Sequence, residues 1–431
     1  MPNTISIPDI YKKYLECSSV STDTRKLPKD CLFVALKGPN FDGNVFAKDA
    51  LKKGAKYVVV DDPELAATDG CLYVKDTLQA LQQLANHHRH QLSIPVIGIT
   101  GSNGKTTTKE LVNAVLKQKF KCYATEGNLN NHIGVPLTLL NAPKDSEIMV
   151  VEMGANRPND IAELCQIAEP THGLITNIGK AHLEGFGGAD GVLKAKSQLY
   201  QWLAENKGTV FINSRMDVLR NMGKRFEHPI YYPNQDDYYH CELVSADPFV
   251  VLKAENGEQV KTNLMGIYNF ENIATALCLG KFFEVPEEKA NEGVAKYVPG
   301  NNRSQIIEKG SNYIILDAYN ANPTSMKAAI ENFALLQRPH KVLIVGDMME
   351  LGEDSVKEHH DLGRLIAKYD FDKTIFCGIH IIPALDNNSE GVHFETRDML
   401  LNYLKKKKFE NTTFLIKGSR SMGLEAVVDL L

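Results

Sequence analysis

The chain has 431 residues, 43% of them hydrophobic and 23% charged, so about two to four domains with ordinary cores are expected. The formal net charge is −5 and no long basic stripe occurs, which argues against a nucleic-acid partner. No run of about 18 apolar residues and no basic, apolar leader is present, so the expectation is a cytoplasmic protein without a membrane span.

The eight cysteines are scattered singly, without C-x-x-C spacing, and read as buried free thiols rather than zinc or redox sites. The basic run Lys405–Lys408 follows a helical pattern and reads as a solvated helix end.

In chain order, three blocks separate. In the first, residues 1–85, "CLFVAL" and "KYVVVDD" read as short buried strands, and "NVFAKDALKKGA" reads as a helix closed by Gly54. The stretch "NHHRH" (Asn86–His90) reads as a cationic helix end before the next strand, not as a metal site.

The second block, residues 86–298, opens with the strand "IPVIGIT" running into a glycine loop and a helix from Lys105. "SEIMVVEMG", "HGLITNIG" and "GTVFINS" are further strands with helical patterns between them, which predicts a mostly parallel, doubly wound sheet. The third block, residues 299–431, repeats the alternation with "YIILDAYNANP", "KVLIVGDMMELG", "KTIFCGI" and "TTFLIKGSRSMG". Each strand ends in polar or glycine-rich residues, where such sheets bind ligands.

The loop "TGSNGKTTT" departs from G-x-x-x-x-G-K-[ST], because Ile99 stands where the first glycine belongs. Its parts are nevertheless present. Gly101 and Gly104 free the backbone, Lys105 brings a positive charge, and Thr106 offers a hydroxyl for magnesium. Thr100, Gly101, Ser102, Asn103, Gly104, Lys105 and Thr106 are therefore candidate nucleotide contacts.

Three other residues are ambiguous alone. Glu152 closes a buried strand, where either a metal-holding carboxylate or a turn former fits. A lone histidine such as His182 is usually structural. A lysine on a helix, as Lys196 is read, usually faces solvent.

Together these residues resemble the Mur ligase family of ATP-dependent amide-forming enzymes. The resemblance runs through "STDTRKLPKDCLFVALKGPNFDG", "GITGSNGKTTTKE", "TEGNLNNHIGVPLTLL", "GIYNFENIATAL", "LDAYNANPTSMKAAI", "VGDMMELGEDSVKEH" and "KGSRSMGLEAVV", in order through all three blocks. The D-N-P-R stretch of sister ligases is absent.

The resemblance implies an α/β protein of three domains: a small UDP-binding domain, a central P-loop-type ATPase domain with a parallel sheet, and a C-terminal Rossmann-like domain that closes over ATP. It implies ligation of D-alanyl-D-alanine to a UDP-linked muramoyl tripeptide through an acyl phosphate, with small-molecule substrates and no need for more than a monomer. The alternatives are a sister or folate-polyglutamylating ligase with another amine acceptor, and, from a different class, a nucleotide-dependent switch.

It further implies two magnesium ions, with Thr106 and Glu152 on the first and His182 on the second. Lys105, Lys196, His182 and Asn322 would be catalytic. Lys196 would be carbamylated, although Ser197-Gln198 replaces the family's usual glycine and glutamate. Asn272 would face adenine, in a segment where Tyr268 replaces a histidine. Arg303 and Asp317 would meet phosphate and ribose. Thr24, Arg25, Asn40, Phe41, Asp42 and Gly43 would hold the UDP end. Asn128, Asn130, Asn131, Asn320, Lys417 and Arg420 would contact the sugar-peptide, the acyl phosphate or the dipeptide.

Overall fold

The computed structural model describes residues 2–300 and 302–431. Three parallel or mostly parallel sheets follow one another along the chain.

The first has four strands in the order Val20–Ser21, Leu32–Val34, Tyr57–Val60, Cys71–Tyr73. The helix expected between the two middle strands is a 3-10 turn, Gly43–Phe46, continued by Ala47–Lys52. Gly54 ends this segment at φ 105°, a backbone that favours glycine.

The central sheet has six parallel strands, ordered Ile230–Tyr232, Thr209–Asn213, His172–Ile175, Val96–Thr100, Ile148–Glu152, Cys122–Ala124. Side-chain alternation sorts its two faces. Ile97, Ile99, Ile148 and Val150 pack with the helices Lys105–Leu116 and Tyr268–Phe282. Val96, Met149 and Val151 pack on the other side with Asp160–Ala168 and Ala189–Glu205. The helix Tyr268–Phe282 is buried on nearly every side, because an antiparallel sheet of Glu242–Ser245, Phe249–Lys253 and Gln259–Met265 covers its far face.

The third sheet is ordered Gln305–Lys309, Asn312–Asp317, Thr413–Lys417, Lys341–Gly346, Lys373–Cys377, Val392–Phe394. All its pairs are parallel except the first, an antiparallel edge. It too is covered on both faces, by Pro323–Leu335 and Ser355–Ile366 on one side and by Arg397–Leu404 and Leu424–Leu430 on the other.

The expected division at 85/86 falls inside the helix Thr77–Arg89, and that at 298/299 falls between Glu287–Lys296 and Gln305–Lys309. The cationic end of Thr77–Arg89 acts as a pin. Arg89 donates to the carbonyls of Ala168 (2.9 Å) and Glu169 (3.1 Å), and so ties this helix to the C-terminal end of Asp160–Ala168. Among the described residues no helix is long and apolar enough to cross a membrane.

Candidate active site

The strand ends of the central and third sheets face one cavity of about 830 Å³. The central unit contributes the glycine loop, Glu152 and His182, and the third unit contributes Arg303, Asp317, Asn320, Asn322 and Lys417.

The loop's odd spacing has a steric basis. At Gly101 (φ 144°) a Cβ would lie 2.0 Å from Thr176 Oγ1, and at Gly104 (φ 78°) it would lie 2.7 Å from Asn272 Oδ1. The loop is thus pressed between the neighbouring strand end and the helix Tyr268–Phe282, and those are the two positions where glycine is required. Position 99 lies inside the strand, where a buried isoleucine fits the core.

Lys105 begins the helix Lys105–Leu116 and folds its ammonium back on the carbonyls of Gly101 (2.7 Å) and Ser102 (3.1 Å). Burial lowers its pKa to about 8; nearby Glu152 opposes this and Arg303 adds to it. A polyphosphate in the cavity would restore full charge.

Glu152 is 1% exposed. Its Oε1 accepts from Asn130 Nδ2 at 2.7 Å, while Oε2 is buried without a hydrogen-bond partner among the described residues. A buried carboxylate oxygen left bare is costly unless a cation or donor meets it, so the site fits a magnesium ion. The support is layered. Thr125 Oγ1 accepts from Glu152 N at 3.0 Å, and the Thr125 carbonyl accepts from the buried Lys109 at 2.6 Å.

Among the described residues, no three His, Cys, Asp or Glu form a metal cluster. A hard cation here would draw on a hydroxyl, one carboxylate and phosphate oxygens, as magnesium does.

Lys196 does not face solvent. It is 1% exposed on Ala189–Glu205, with its ammonium 3.5 Å from the Ala155 carbonyl and over the Phe186 ring. Burial, then the charge of Lys105, holds its pKa well below the lysine range. The signal was in the pattern, since Val192, Ala195, Lys196, Leu199, Tyr200 and Leu203 form one helical stripe.

His182 lines the cavity, and its Nδ1 lies against the Glu350 carboxylate of the third unit. Asn322 caps the helix Pro323–Leu335, and its Nδ2 donates 2.7 Å to Asn103 Oδ1 across the unit boundary. Lys417, 2% exposed, is paired with Asp317 at 2.5 Å.

Asn272 also lines the cavity, while its amide is engaged with Thr108 (3.1 Å) and Asn269 (2.8 Å). Asn128, Asn130 and Asn131 line the cavity as well. The oxygen of Asn131 accepts from Gly134 N (2.9 Å) at the start of Gly134–Leu140.

Thr100, Gly101, Lys196 and Arg420 are not on the cavity wall. Thr100 donates to the Met153 carbonyl at 2.8 Å, and Arg420 is exposed and paired with Glu425 at 2.7 Å.

The candidates of the first unit lie elsewhere. Thr24 and Arg25 sit on a 3-10 turn capped by Asp23, which also pairs with the Arg25 guanidinium at 2.7 Å. Phe41 and Asp42 form a short hairpin strand, and Asn40 precedes it. Gly43 is pressed on the Leu36 carbonyl, where a Cβ would lie at 2.5 Å. Phe41, Val45 and Phe46 leave an exposed apolar surface there.

Sequence reasoning missed several cavity residues, among them Tyr319, Asn177, Arg157 and Asp160. Tyr319 stacks on the Arg303 guanidinium at 3.7 Å, a pairing of residues distant in sequence that no local pattern announces.

Three family models match the chain: "Mur ligase family, catalytic domain" over 16–89, "Mur ligase middle domain" over 99–280 and "Mur ligase, glutamate ligase domain" over 302–420. The chain is 35% identical over 425 residues to the UDP-N-acetylmuramoyl-tripeptide–D-alanyl-D-alanine ligase of Bacillus subtilis (strain 168), covering 95% of this chain and 92% of that protein. The crystal structure of MurF from Acinetobacter baumannii superposes with a TM-score of 0.87 at 30% identity, covering 100% of this chain and 99% of that one. MurF from Thermotoga maritima in complex with ADP superposes with a TM-score of 0.84 at 27% identity, covering 97% of each chain. The chain, an α/β protein built around a phosphate loop, belongs to the Mur ligase family.

Proposed function

We propose that this protein joins D-alanyl-D-alanine to UDP-N-acetylmuramoyl tripeptide, hydrolysing ATP to ADP and phosphate and forming the UDP-muramoyl pentapeptide used to build peptidoglycan. The observation that carries the reading is a single cavity in which a phosphate loop and a bare buried carboxylate face polar groups of a second sheet. The family's ligase chemistry and the match to ligases along the whole chain support it.

In this reading the tripeptide carboxylate attacks the γ-phosphorus of ATP. The bond to ADP breaks, and an acyl phosphate forms. The dipeptide amine then adds to the acyl carbon, loses a proton, and phosphate leaves. Lys105 neutralises the β- and γ-phosphate oxygens, with the loop's glycines allowing close approach.

Thr106 and Glu152 would hold one magnesium ion and His182 a second, and the ions would supply charge screening to the phosphoryl group. Asn130 keeps Glu152 aimed. A neutral Lys196 amine can take up carbon dioxide as a carbamate with loss of a proton, turning a buried cation into an anion beside the cavity. Asn272 and Asp317 serve adenine and ribose, and Arg303 the phosphates. Asn320, Asn322 and Lys417 face the acyl phosphate and the dipeptide, and Arg420 serves the same groups from outside the cavity wall.

The first unit, with Thr24, Arg25, Asn40, Phe41, Asp42 and Gly43, holds the uridine end, where the exposed Phe41 ring suits a nucleobase. We place the enzyme in the cytoplasm, where ATP is available, and divide it at 85/86 and 298/299.

The test is phosphate release from ATP and magnesium with UDP-muramoyl tripeptide, with and without D-alanyl-D-alanine. Release that needs both substrates, with a UDP-pentapeptide product, is expected. Release without the dipeptide, or no product with either the lysine or the diaminopimelate tripeptide, would overturn the reading.

A further inference from the structure

Tyr268 opens the helix Tyr268–Phe282 and lines the cavity from the central unit. Its ring lies on Gly266 (φ 87°), where a Cβ would come within 2.4 Å of Cε1, so the ring has little room to move. Its hydroxyl is hydrogen-bonded at 3.0 Å to Ser304 Oγ, which belongs to the third unit. Burial, and then the nearby Asp317 carboxylate, raise the pKa of the phenol, so the hydroxyl keeps its proton.

Ser304 passes the contact on. Its N–H donates to Asp317 Oδ1 at 3.1 Å, and Asp317 Oδ2 pairs with Lys417 at 2.5 Å. Each carboxylate oxygen is thus held once and keeps a lone pair for another donor. Ser304 is 8% exposed and sits in the left-handed region at φ 48°. In a residue other than glycine such backbone persists where contacts over-determine it, and here Tyr268 holds one side and Asp317 the other.

We propose that Tyr268 is a positioning residue for nucleotide selection: through Ser304 it aims the Asp317 carboxylate at a ribose hydroxyl. The proposal rests on the reading in which Asp317 serves the ribose. Asp317 ends the strand Asn312–Asp317, whose backbone is fixed by parallel pairing with Thr413–Lys417. The strand does not fix how the carboxylate is turned. The Ser304 N–H does, and Ser304 keeps its place through the Tyr268 hydroxyl. A carboxylate turned away forfeits the hydrogen bond from the ribose, and the site then no longer tells ribose from deoxyribose. A latch that only joined the two units would instead act on every nucleotide alike.

The test is calorimetric binding of ADP, 2′-deoxyADP and 3′-deoxyADP, each with magnesium, to the full-length protein, to Tyr268→Phe, to Ser304→Ala and to the double variant. Tyr268→Phe keeps the ring on Gly266 and removes only the hydroxyl, and neither change strands a buried charge, so the variants should fold. Binding needs neither tripeptide nor dipeptide, so the result is independent of the ligase test.

Wild type should bind ADP about 3–10-fold more tightly than the deoxy form lacking the hydroxyl that meets Asp317. In Tyr268→Phe, ADP should weaken by about that factor while the deoxy form changes less than about twofold, so the preference collapses. Ser304→Ala should do the same, and the double variant should lose no more than either single one. In turnover, KM for ATP should rise in parallel, with kcat within about twofold.

A preference kept in Tyr268→Phe would overturn the proposal. So would equal weakening of ADP and both deoxy forms, which is the behaviour of a latch, or losses that add in the double variant. Wild type without a preference for ADP over either deoxy form would overturn the ribose reading of Asp317, and the proposal with it.

Discussion

Glu152 and Lys196, an acidic and a basic side chain, share one buried neighbourhood, and each is handled differently. Glu152 keeps one oxygen hydrogen-bonded and one bare, which is how a carboxylate waits for a cation. Lys196 has a single carbonyl contact at the edge of hydrogen-bond length and is pushed toward its neutral form by burial. If the amine acts as a carbamate, Lys196→Ala should slow ligation by about 10–100-fold, and added short carboxylates should partly restore it. Full activity of that variant, measured by pentapeptide formation, would remove Lys196 from the mechanism.

Helix ends and strand ends carry the next level of organisation. Asn322 has two tasks: its oxygen caps Pro323–Leu335 through Ser325 N (2.9 Å), and its amide donates to Asn103. Asn322→Ala should cost about 1 kcal/mol in urea unfolding of the third unit. Asn322→Ser should recover most of that as a cap, yet remain slow in turnover because the shorter side chain cannot reach Asn103. Recovery of both together would mean that the cross-unit bond is idle.

At the start of the strand His172–Ile175, His172 packs on the rings of Phe211, Phe282 and Phe283. Burial lowers its pKa from 6.5 to about 4. The folded state therefore binds this proton less readily than the unfolded one, and stability is lost as pH falls from about 6.5 toward 4. The loss should be on the order of 3 kcal/mol at most, and His172→Phe should flatten that part of the pH–stability curve. An unchanged slope in the variant would show that His172 is not its source.

Across the whole molecule, the third unit is joined to the central one at the cavity by a few polar contacts. They include Lys180 with Glu358, the Lys180 backbone with Thr324 (3.2 Å), Asn322 with Asn103, Tyr268 with Ser304 (3.0 Å), and the His182–Glu350 pair. Links this few permit opening, and a ligand bridging both walls should oppose it. Lys180→Ala should therefore raise the radius of gyration seen by small-angle scattering in the ligand-free protein, and ADP with magnesium should reduce the difference. Identical scattering in all four states would mean that the docked arrangement does not depend on this ion pair.

Much of this protein was written locally. The buried strands ending in Thr100, Glu152, Asp317, Gly346 and Lys417 were legible because apolar runs bounded by polar or glycine-rich residues have few other structures available. The phosphate loop was legible because its parts are contiguous. The strands Val20–Ser21, Cys122–Ala124 and Val392–Phe394 were not, since two or three residues are too few to show a period. The helix cover over Tyr268–Phe282 likewise comes from an antiparallel sheet that the alternating pattern did not predict.

The sequence alone determined the kinds of element, the phosphate loop and the family resemblance, because these rest on spacing within short segments. Only the tertiary structure decided that Asn130 aims Glu152, that Tyr319 stacks on Arg303 and that Glu350 reaches His182. Those pairings join residues far apart in the chain. Their energy comes from burial and proximity, which exist only once the sheets are assembled and the two strand-end surfaces face each other.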